Sequence, residues 1–483
     1  MRISLGAKFI LMTCTFTSTL LFLVSCGVTD HDVNIQHAHG RVSPSQSASG
    51  PYFSDPSLSA EVVFRGLDFP TSMAFLDDND ILVLEKNEGT VRRIVNGTML
   101  ENPLLKVNVS AKGENGMLGI AVGRENSTLN KPQYIFLYYT DAMNADKEKD
   151  IVDMKLGDLP ARNRLFRYEL VDNKLVHPKL ILELPPSARQ IHNGGAVSIG
   201  ADDNVYLAVG DMFRENPQKS ELLFGTAGIL RIDQYGNAIK SKENEYLLGN
   251  THPINKYYAY GIRNSFGIDF DPITGYLWDT ENGPGFGDEI NLVGAGFNSG
   301  WREIQGFWNE KDQNTTVSSP DNILDFGGRS YYSHPELATV PSMGLTGLSF
   351  LDTTRYGINY QNSLVVGDFH NGFLYHFDLN RERTELNLTS KLSDKIADSM
   401  KDLNENILGK GFGGITDIDV GPDGYLYVLS LYKGGDNCSG LLSEEEIDNL
   451  SREEVDILTK QKGCINYDSE LQGTVFRIIP RTE

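Results

Sequence analysis

The sequence predicts an all-β fold, a six-bladed β-propeller, on three observations. A short Gly-containing apolar strand recurs six times, each copy is followed by a turn rich in Asp, Asn, Pro or Gly and a second apolar strand, and almost no helical periodicity lies between the copies. The first strands begin at Pro70 (P-T-S-M-A-F), Gly116 (G-M-L-G-I-A-V), Gly194 (G-G-A-V-S-I), Gly267 (G-I-D-F), Gly347 (G-L-S-F) and Gly414 (G-I-T-D-I-D-V). Each is answered by a strand such as I-L-V-L-E at Ile81, Y-I-F-L-Y-Y at Tyr134 or Y-L-Y-V-L at Tyr425. Most then run into a third, outer strand, as in T-V-R-R-I-V and T-V-F-R-I-I-P. The spacing of about 45 to 80 residues is too uneven for a solenoid, whose units stack at a fixed rise, and suits blades joined by loops of variable length. The strand Ala60 to Phe64 has no blade of its own and is expected to complete the last one.

With 483 residues, 48 glycines and 40% hydrophobic residues, the chain is long enough for one large all-β domain, placed at 58–483. The net charge of −22 argues against nucleic acid and anionic membrane surfaces as partners. Ahead of the domain, Arg2 and Lys8 precede an apolar run from Phe9 to Val24 and the tetrapeptide L-V-S-C. That run is short for a spanning helix and reads as an export signal over 1–25. L-V-S-C resembles the lipobox of secreted lipoproteins, so the chain is expected at the outer face of the cell membrane or in the periplasm, touching the membrane only through lipid on Cys26; an ordinary signal peptide cut nearby, or an uncleaved anchor, is the plainer reading. Residues 26–57, rich in Ser, Gly, His and Pro, read as a flexible spacer. Cys438 and Cys464 bracket a charged insertion, 438–464. In an exported chain the pair is expected to form a disulfide worth roughly 3 to 4 kcal/mol.

Candidate chemistry sits where strands end. Q-I-H-N-G-G puts His192 just before an inner strand, and A-V-G-D ends the next strand at Asp211; across a hairpin the two can meet, giving a His oriented by a carboxylate, the makings of a general base. Y-G-I-R-N-S-F-G places Arg263 and Asn264 before another inner strand, where Arg offers a fixed cation and a planar donor fork. T-E-N-G-P-G-F-G-D-E-I-N, with Asp288 and Glu289 after its Glu-Asn-Gly-Pro loop, offers carboxylates and backbone carbonyls, the oxygen ligands that a hard cation such as Ca²⁺ accepts. Taken singly, each has a plainer reading as a turn or a solvated blade connection.

In order, P-T-S-M-A-F, E-N-G-M-L-G-I-A-V, H-N-G-G, V-G-D, G-I-L-R-I-D, Y-G-I-R-N-S-F-G, E-N-G-P-G-F-G-D-E-I-N, N-S-G-W and G-P-D-G-Y-L-Y-V-L resemble the soluble quinoprotein glucose dehydrogenase, or glucose/sorbosone dehydrogenase, family, from about residue 60 to 480. The resemblance implies a six-bladed propeller that holds pyrroloquinoline quinone (PQQ) and Ca²⁺ at one end of the ring, oxidises aldose sugars to lactones and hands electrons to an acceptor. It implies that His192 is the base, Asp211 its orienting partner, Arg263 and Asn264 holders of the quinone oxygens, and the Gly283 and Pro284 carbonyls Ca²⁺ ligands. It also marks departures. Where the family sets a Lys and two Arg against the quinone carboxylates, this chain has His370, Gly414 and Thr416, and where the family has a Gln it has Glu114. Lys410, Lys433 or Arg329 would have to substitute from a loop, and Tyr331 and Tyr332 are candidates to stack on a planar cofactor or to pack a blade. Two other readings stay open beside the dehydrogenase: a non-enzymatic propeller lipoprotein that binds a ligand or protein at the tunnel mouth, and a Ca²⁺-dependent hydrolase of lactones or esters, for which only the Glu281 to Glu289 region offers acids.

Overall fold

The computed structural model describes residues 51–111, 113–123, 133–142, 161–214, 216–219, 224–242, 245–308, 316–431 and 473–481. Cys26, Cys438, Cys464 and Lys433 lie outside them. The described residues form an all-β propeller of six sheets, each with four to six strands, plus a two-stranded hairpin. The innermost strands are Pro70–Asp77, Met117–Val122, Val197–Ile199, Ser265–Phe270, Leu345–Phe350 and Gly414–Val420. Each packs against the next, and the last packs back on the first, so the inner strands form a closed ring.

The strands read as near-continuous apolar runs because both faces of a blade are covered. In Tyr134–Ala142, the side chains of Phe136 and Tyr138 join one apolar cluster with Val205 and Leu207 of the following sheet. Ile135, Leu137 and Tyr139, on the opposite face, join another with Leu82 and Val91 of the preceding sheet. The same arrangement recurs at every junction, including the one between the last sheet and the first, where Tyr427, Leu429 and Val475 meet Met73, Ile81 and Val83. Each such fully buried side chain contributes roughly 1.5–3 kcal/mol relative to exposure.

The recurrent glycines mark where neighbouring inner strands touch. A Cβ on Gly119 would collide with the carbonyl of Gly195, one on Gly267 with that of Thr346, and one on Gly347 with the Ile418 amide. In the last sheet, Asp417 bridges instead, accepting from Ser72 Oγ (3.0 Å) and the Met73 amide (2.8 Å) of the first. The strand Leu58–Leu67 pairs antiparallel with Gly473–Pro480, Val62 facing Phe476, so the N-terminal strand completes the last blade as expected. One boundary moves: Tyr52–Phe53, assigned by sequence to the spacer, pairs with Gly409 and Lys410, so the folded chain starts before residue 58.

A tunnel of about 720 Å³ runs inside the ring, lined from all six inner strands by residues such as Ser72, Leu118, Val197, Ile268, Leu348 and Ile418. It is continuous with a wider cleft of about 420 Å³ at one end, the two sharing Glu114, Phe266, Asn282, Gly344 and His370.

Candidate active site at the mouth of the tunnel

His192 precedes the short inner strand Val197–Ile199, and Asp211 follows the neighbouring strand Val205–Val209. The two loops are laced together: the amide of Met212 donates to the His192 carbonyl (3.1 Å) and that of Asp211 to the Arg263 carbonyl (2.8 Å). Gly210 makes the approach possible, since a Cβ there would strike the His192 carbonyl and the Asn264 side chain. His192 itself has φ of 59°, an uncommon conformation for a non-glycine residue, held by the donors around it.

The His192 Nδ1 lies 2.7 Å from Asp211 Oδ1, with both side chains almost wholly buried. Burial by itself would raise the Asp211 carboxyl, but His192, the Trp301 indole and the Phe213 amide together hold it below the usual carboxylate range. An ionised Asp211 can only accept, so the imidazole donates from Nδ1 and leaves Nε2 as the free, basic nitrogen.

Glu114 braces this arrangement from the preceding sheet. Its Oε2 accepts from the amide of His192 (2.6 Å) and from Asn264 Nδ2 (3.2 Å). Asn264 in turn accepts from the Gly194 amide at 3.0 Å. Arg263 donates its amide to Glu281 Oε1 (2.6 Å) and its guanidinium to the Asn282 carbonyl (2.7 Å), while its buried Nε has no partner. Burial lowers the Arg263 guanidinium from its usual value, against the pull of Asp211, Glu281 and Glu114.

The cleft gathers His192, Arg263, Asn264, Glu114, His370, and Gly283 with Pro284 on its rim. Asp211 stands directly behind His192. Thr416 lies deeper, in the tunnel wall, with its hydroxyl 3.4 Å from the Leu429 carbonyl. Two sequence candidates fall elsewhere. Asp288, expected as a cation ligand, is fully buried, and its oxygens accept from the Gly283, Met343 and Gly344 amides and the Ser342 hydroxyl at 2.6–2.8 Å. It is a tether between two sheets, with its oxygens committed to those donors. Tyr331 is half exposed on an edge strand, its hydroxyl over Gly294, and lines neither the cleft nor the tunnel. Lys410 and Arg329 also stay out of the cleft, Lys410 resting on the Phe373 ring. Sequence reasoning missed Trp301, whose Nε1 donates to Asp211 Oδ2 at 2.7 Å. It singled out the acids from Glu281 to Glu289 but missed that Glu281 and Glu289 are a buried pair joined through the Ser299 hydroxyl at 2.7 and 3.2 Å.

A propeller with a buried His–Asp pair, an arginine and an asparagine converging at one tunnel mouth defines a class of ring-shaped protein equipped for proton abstraction in a cleft. The chain belongs to the Glucose / Sorbosone dehydrogenase family, whose model matches residues 67–439. It is 23% identical over 382 residues to the aldose sugar dehydrogenase YliI of Escherichia coli, covering 79% of this chain and 92% of that protein. Its fold is that of the apo-form of the soluble aldose sugar dehydrogenase from E. coli (TM-score 0.62, 20% identity, 88% of this chain and 100% of the other). It is likewise similar to the PQQ-bound aldose sugar dehydrogenase of Streptomyces coelicolor (TM-score 0.56, 20% identity, 88% and 99%).

Proposed function

We propose that this chain is a sugar dehydrogenase whose six sheets are the six blades of the ring, and that it oxidises an aldose at the anomeric carbon to the lactone with PQQ and Ca²⁺ at the tunnel mouth. The observation that carries this reading is the His192–Asp211 pair, its Nε2 left basic, sharing one cleft with Arg263 and Asn264. The residues fit the reactive end of such a quinone: Arg263 has a buried Nε without an acceptor, and Asn264 stands beside it. The carbonyls of Gly283 and Pro284 on the same rim would serve a hard cation; Asp288 would not. When bound, the quinone supplies a two-electron hydride acceptor.

His192 Nε2 takes the proton of the sugar hydroxyl, and the resulting imidazolium is stabilised by the ionised Asp211 at 2.7 Å. Arg263 presents a fixed positive charge to negative charge developing in the cleft, where displacement of water strengthens the effect. Glu114 and Asn264 keep the His192 and Gly194 amides in place. The acids at 281–289 do not favour the hydrolase reading, since all three carboxylates are buried in internal hydrogen bonds. A binding-protein reading draws on a different observation: among the described residues, the cleft and tunnel carry four acids, Glu114, Asp269, Asp417 and Asp419, against two bases, Arg263 and Lys86.

Titrating the purified protein with PQQ and Ca²⁺ tests the proposal. The expected result is a perturbed quinone absorption spectrum that bleaches to the reduced form when aldoses are added. No spectral change and no dye reduction across an aldose panel would leave the binding-protein reading standing. We further propose export and anchoring through Cys26: Cys26→Ser should move the protein from the membrane fraction to the soluble one, and a wild type already soluble and free of acyl mass would overturn that.

A further inference from the structure

We propose that Trp301 is a positioning residue that locks the orienting carboxylate of the base and supports the cleft's arginine with one indole ring; as a role in turnover this rests on the dehydrogenase reading above. Asp211 can fix the His192 ring only if it cannot itself rotate. Its Oδ1 is shared by His192 Nδ1 (2.7 Å) and the Phe213 amide (2.8 Å), both supplied by neighbouring segments of its own sheet. Its Oδ2 is held from a turn some 90 residues away, by Trp301 Nε1 at 2.7 Å and by the Arg302 guanidinium at 3.2 Å. The indole is the closer donor. Arg302 is a third exposed and also donates to the Arg214 carbonyl, so its hold on Asp211 is longer and divided.

The turn that carries Trp301 is anchored independently of Asp211. Its amide donates to the Gly261 carbonyl (2.9 Å), and its carbonyl accepts from Gln218 Nε2 (3.1 Å). The ring is therefore delivered to Asp211 by backbone at the far side of the same sheet, where Phe297–Asn298 pairs with Tyr257–Tyr260. Its face lies 5.3 Å from the Arg263 guanidinium carbon, within the range of a cation–π contact. One side chain thus touches the group behind the base and the cation in front of it. An indole N–H suits the position because it donates without adding a second cation to the more distant Arg302 guanidinium on the same oxygen.

Trp301→Phe removes the N–H and keeps a ring beneath Arg263. In ¹⁵N-histidine-labelled protein, the hydrogen-bonded Nδ1 proton of His192 should give a far-downfield resonance that shifts upfield or broadens in the variant. The kcat should fall about tenfold with KM within about twofold, equivalent to losing roughly 1.4 kcal/mol in the transition state. Arg302→Ala should change both readouts less. Should Trp301→Phe misfold, the unmodified protein still decides: the indole N–H resonance of Trp301 should titrate with the same midpoint as the His192 ring. An unshifted Nδ1 resonance in the variant, or an indole signal blind to the His192 titration, overturns the proposal. The resonances are read without cofactor or sugar, so a failure of the dehydrogenase reading, seen as a wild type without turnover, is told apart from a failure of this one.

Discussion

At the scale of single residues, the cleft separates the group that works on substrate from the groups that hold it. His192 and Glu114 both line the cleft, but Glu114 is tied to the His192 amide, Asp211 holds the His192 ring from behind, and Trp301 holds Asp211. Replacing His192 by Ala should therefore cut sugar turnover by about 10²–10⁴, the usual worth of a general base, with quinone affinity by fluorescence quenching within about twofold of wild type. A parallel loss of affinity would make His192 a cofactor clamp, and unchanged turnover would remove it from the chemistry. His192, Asp211, Arg263 and Asn264 were legible in the sequence because each sits in a short loop at a strand end, within three residues of a glycine. Trp301 was not, although N-S-G-W stood in the motif series, because its indole meets Asp211 only once Phe297–Asn298 returns to pair with Tyr257–Tyr260, some 90 residues along the chain from Asp211. Asp288 was misread for a related reason. Next to a Gly-Pro loop an acid looks like a cation ligand, and nothing local to 280–291 reveals that the 342–344 segment brings it three donors.

At the scale of the strand pair, the fourth sheet carries a conflict that its register explains. Leu277–Glu281 and Asp288–Val293 pair so that Glu281 faces Glu289 and Asp279 faces Asn291. Like charges directly opposite on a ladder are destabilising. Burial pushes the Glu289 carboxyl up to about 8, against hydrogen bonds from Gly306, Asn291 and Ser299 that only partly offset it; burial and the charge of Glu289 raise Glu281 as well. Both carboxyls are therefore biased toward the protonated form. The sign follows directly: with a folded-state value above the ordinary 4.5, the protein gains stability from the bound proton at low pH and loses it as pH rises from about 4.5 through about 8. Glu289→Gln, neutral at every pH, should match the wild-type melting temperature near pH 5 and exceed it near pH 8. A variant whose melting temperature falls with pH as steeply as wild type would show that Glu289 is already ionised. Sequence gave no hint of this pair, since D-E-I-N in a Gly-rich stretch reads as a solvated turn. The strands themselves were legible, because a blade buried on both faces must be apolar at consecutive positions. Tyr52–Phe53 was not: two apolar residues at the end of a polar spacer carry no periodicity, and only the exposed edge at Gly409 and Lys410 recruits them.

At the scale of the whole molecule, the net charge of −22 and the lining of the tunnel point the same way. Lys86, the second base of that lining, donates to the carbonyls of Ala111, Gly113 and Asn115 at 2.8–3.0 Å, so its charge is directed at the backbone. Burial pushes Asp269 and Asp417 up to about 6, which dilutes the acidity of the tunnel without reversing it. A ligand with three carboxylates, entering a cleft whose lining sets Glu114 against Arg263, lacks the several charge-assisted contacts that are worth about 1.5–3 kcal/mol each. Such a cofactor should bind weakly and be lost on purification. His370 lines both cleft and tunnel, and Thr416 lies below it in the wall, so His370→Lys with Thr416→Arg adds two cations where the described residues provide few. The double variant should tighten PQQ binding at least tenfold at low ionic strength, and the gain should shrink as salt is added, because screening acts on the added charges and leaves the shape of the cleft unchanged. If affinity stays flat, or rises equally at all salt concentrations, charge is not what limits the cofactor, and the cleft's acidity has to be explained by an uncharged ligand.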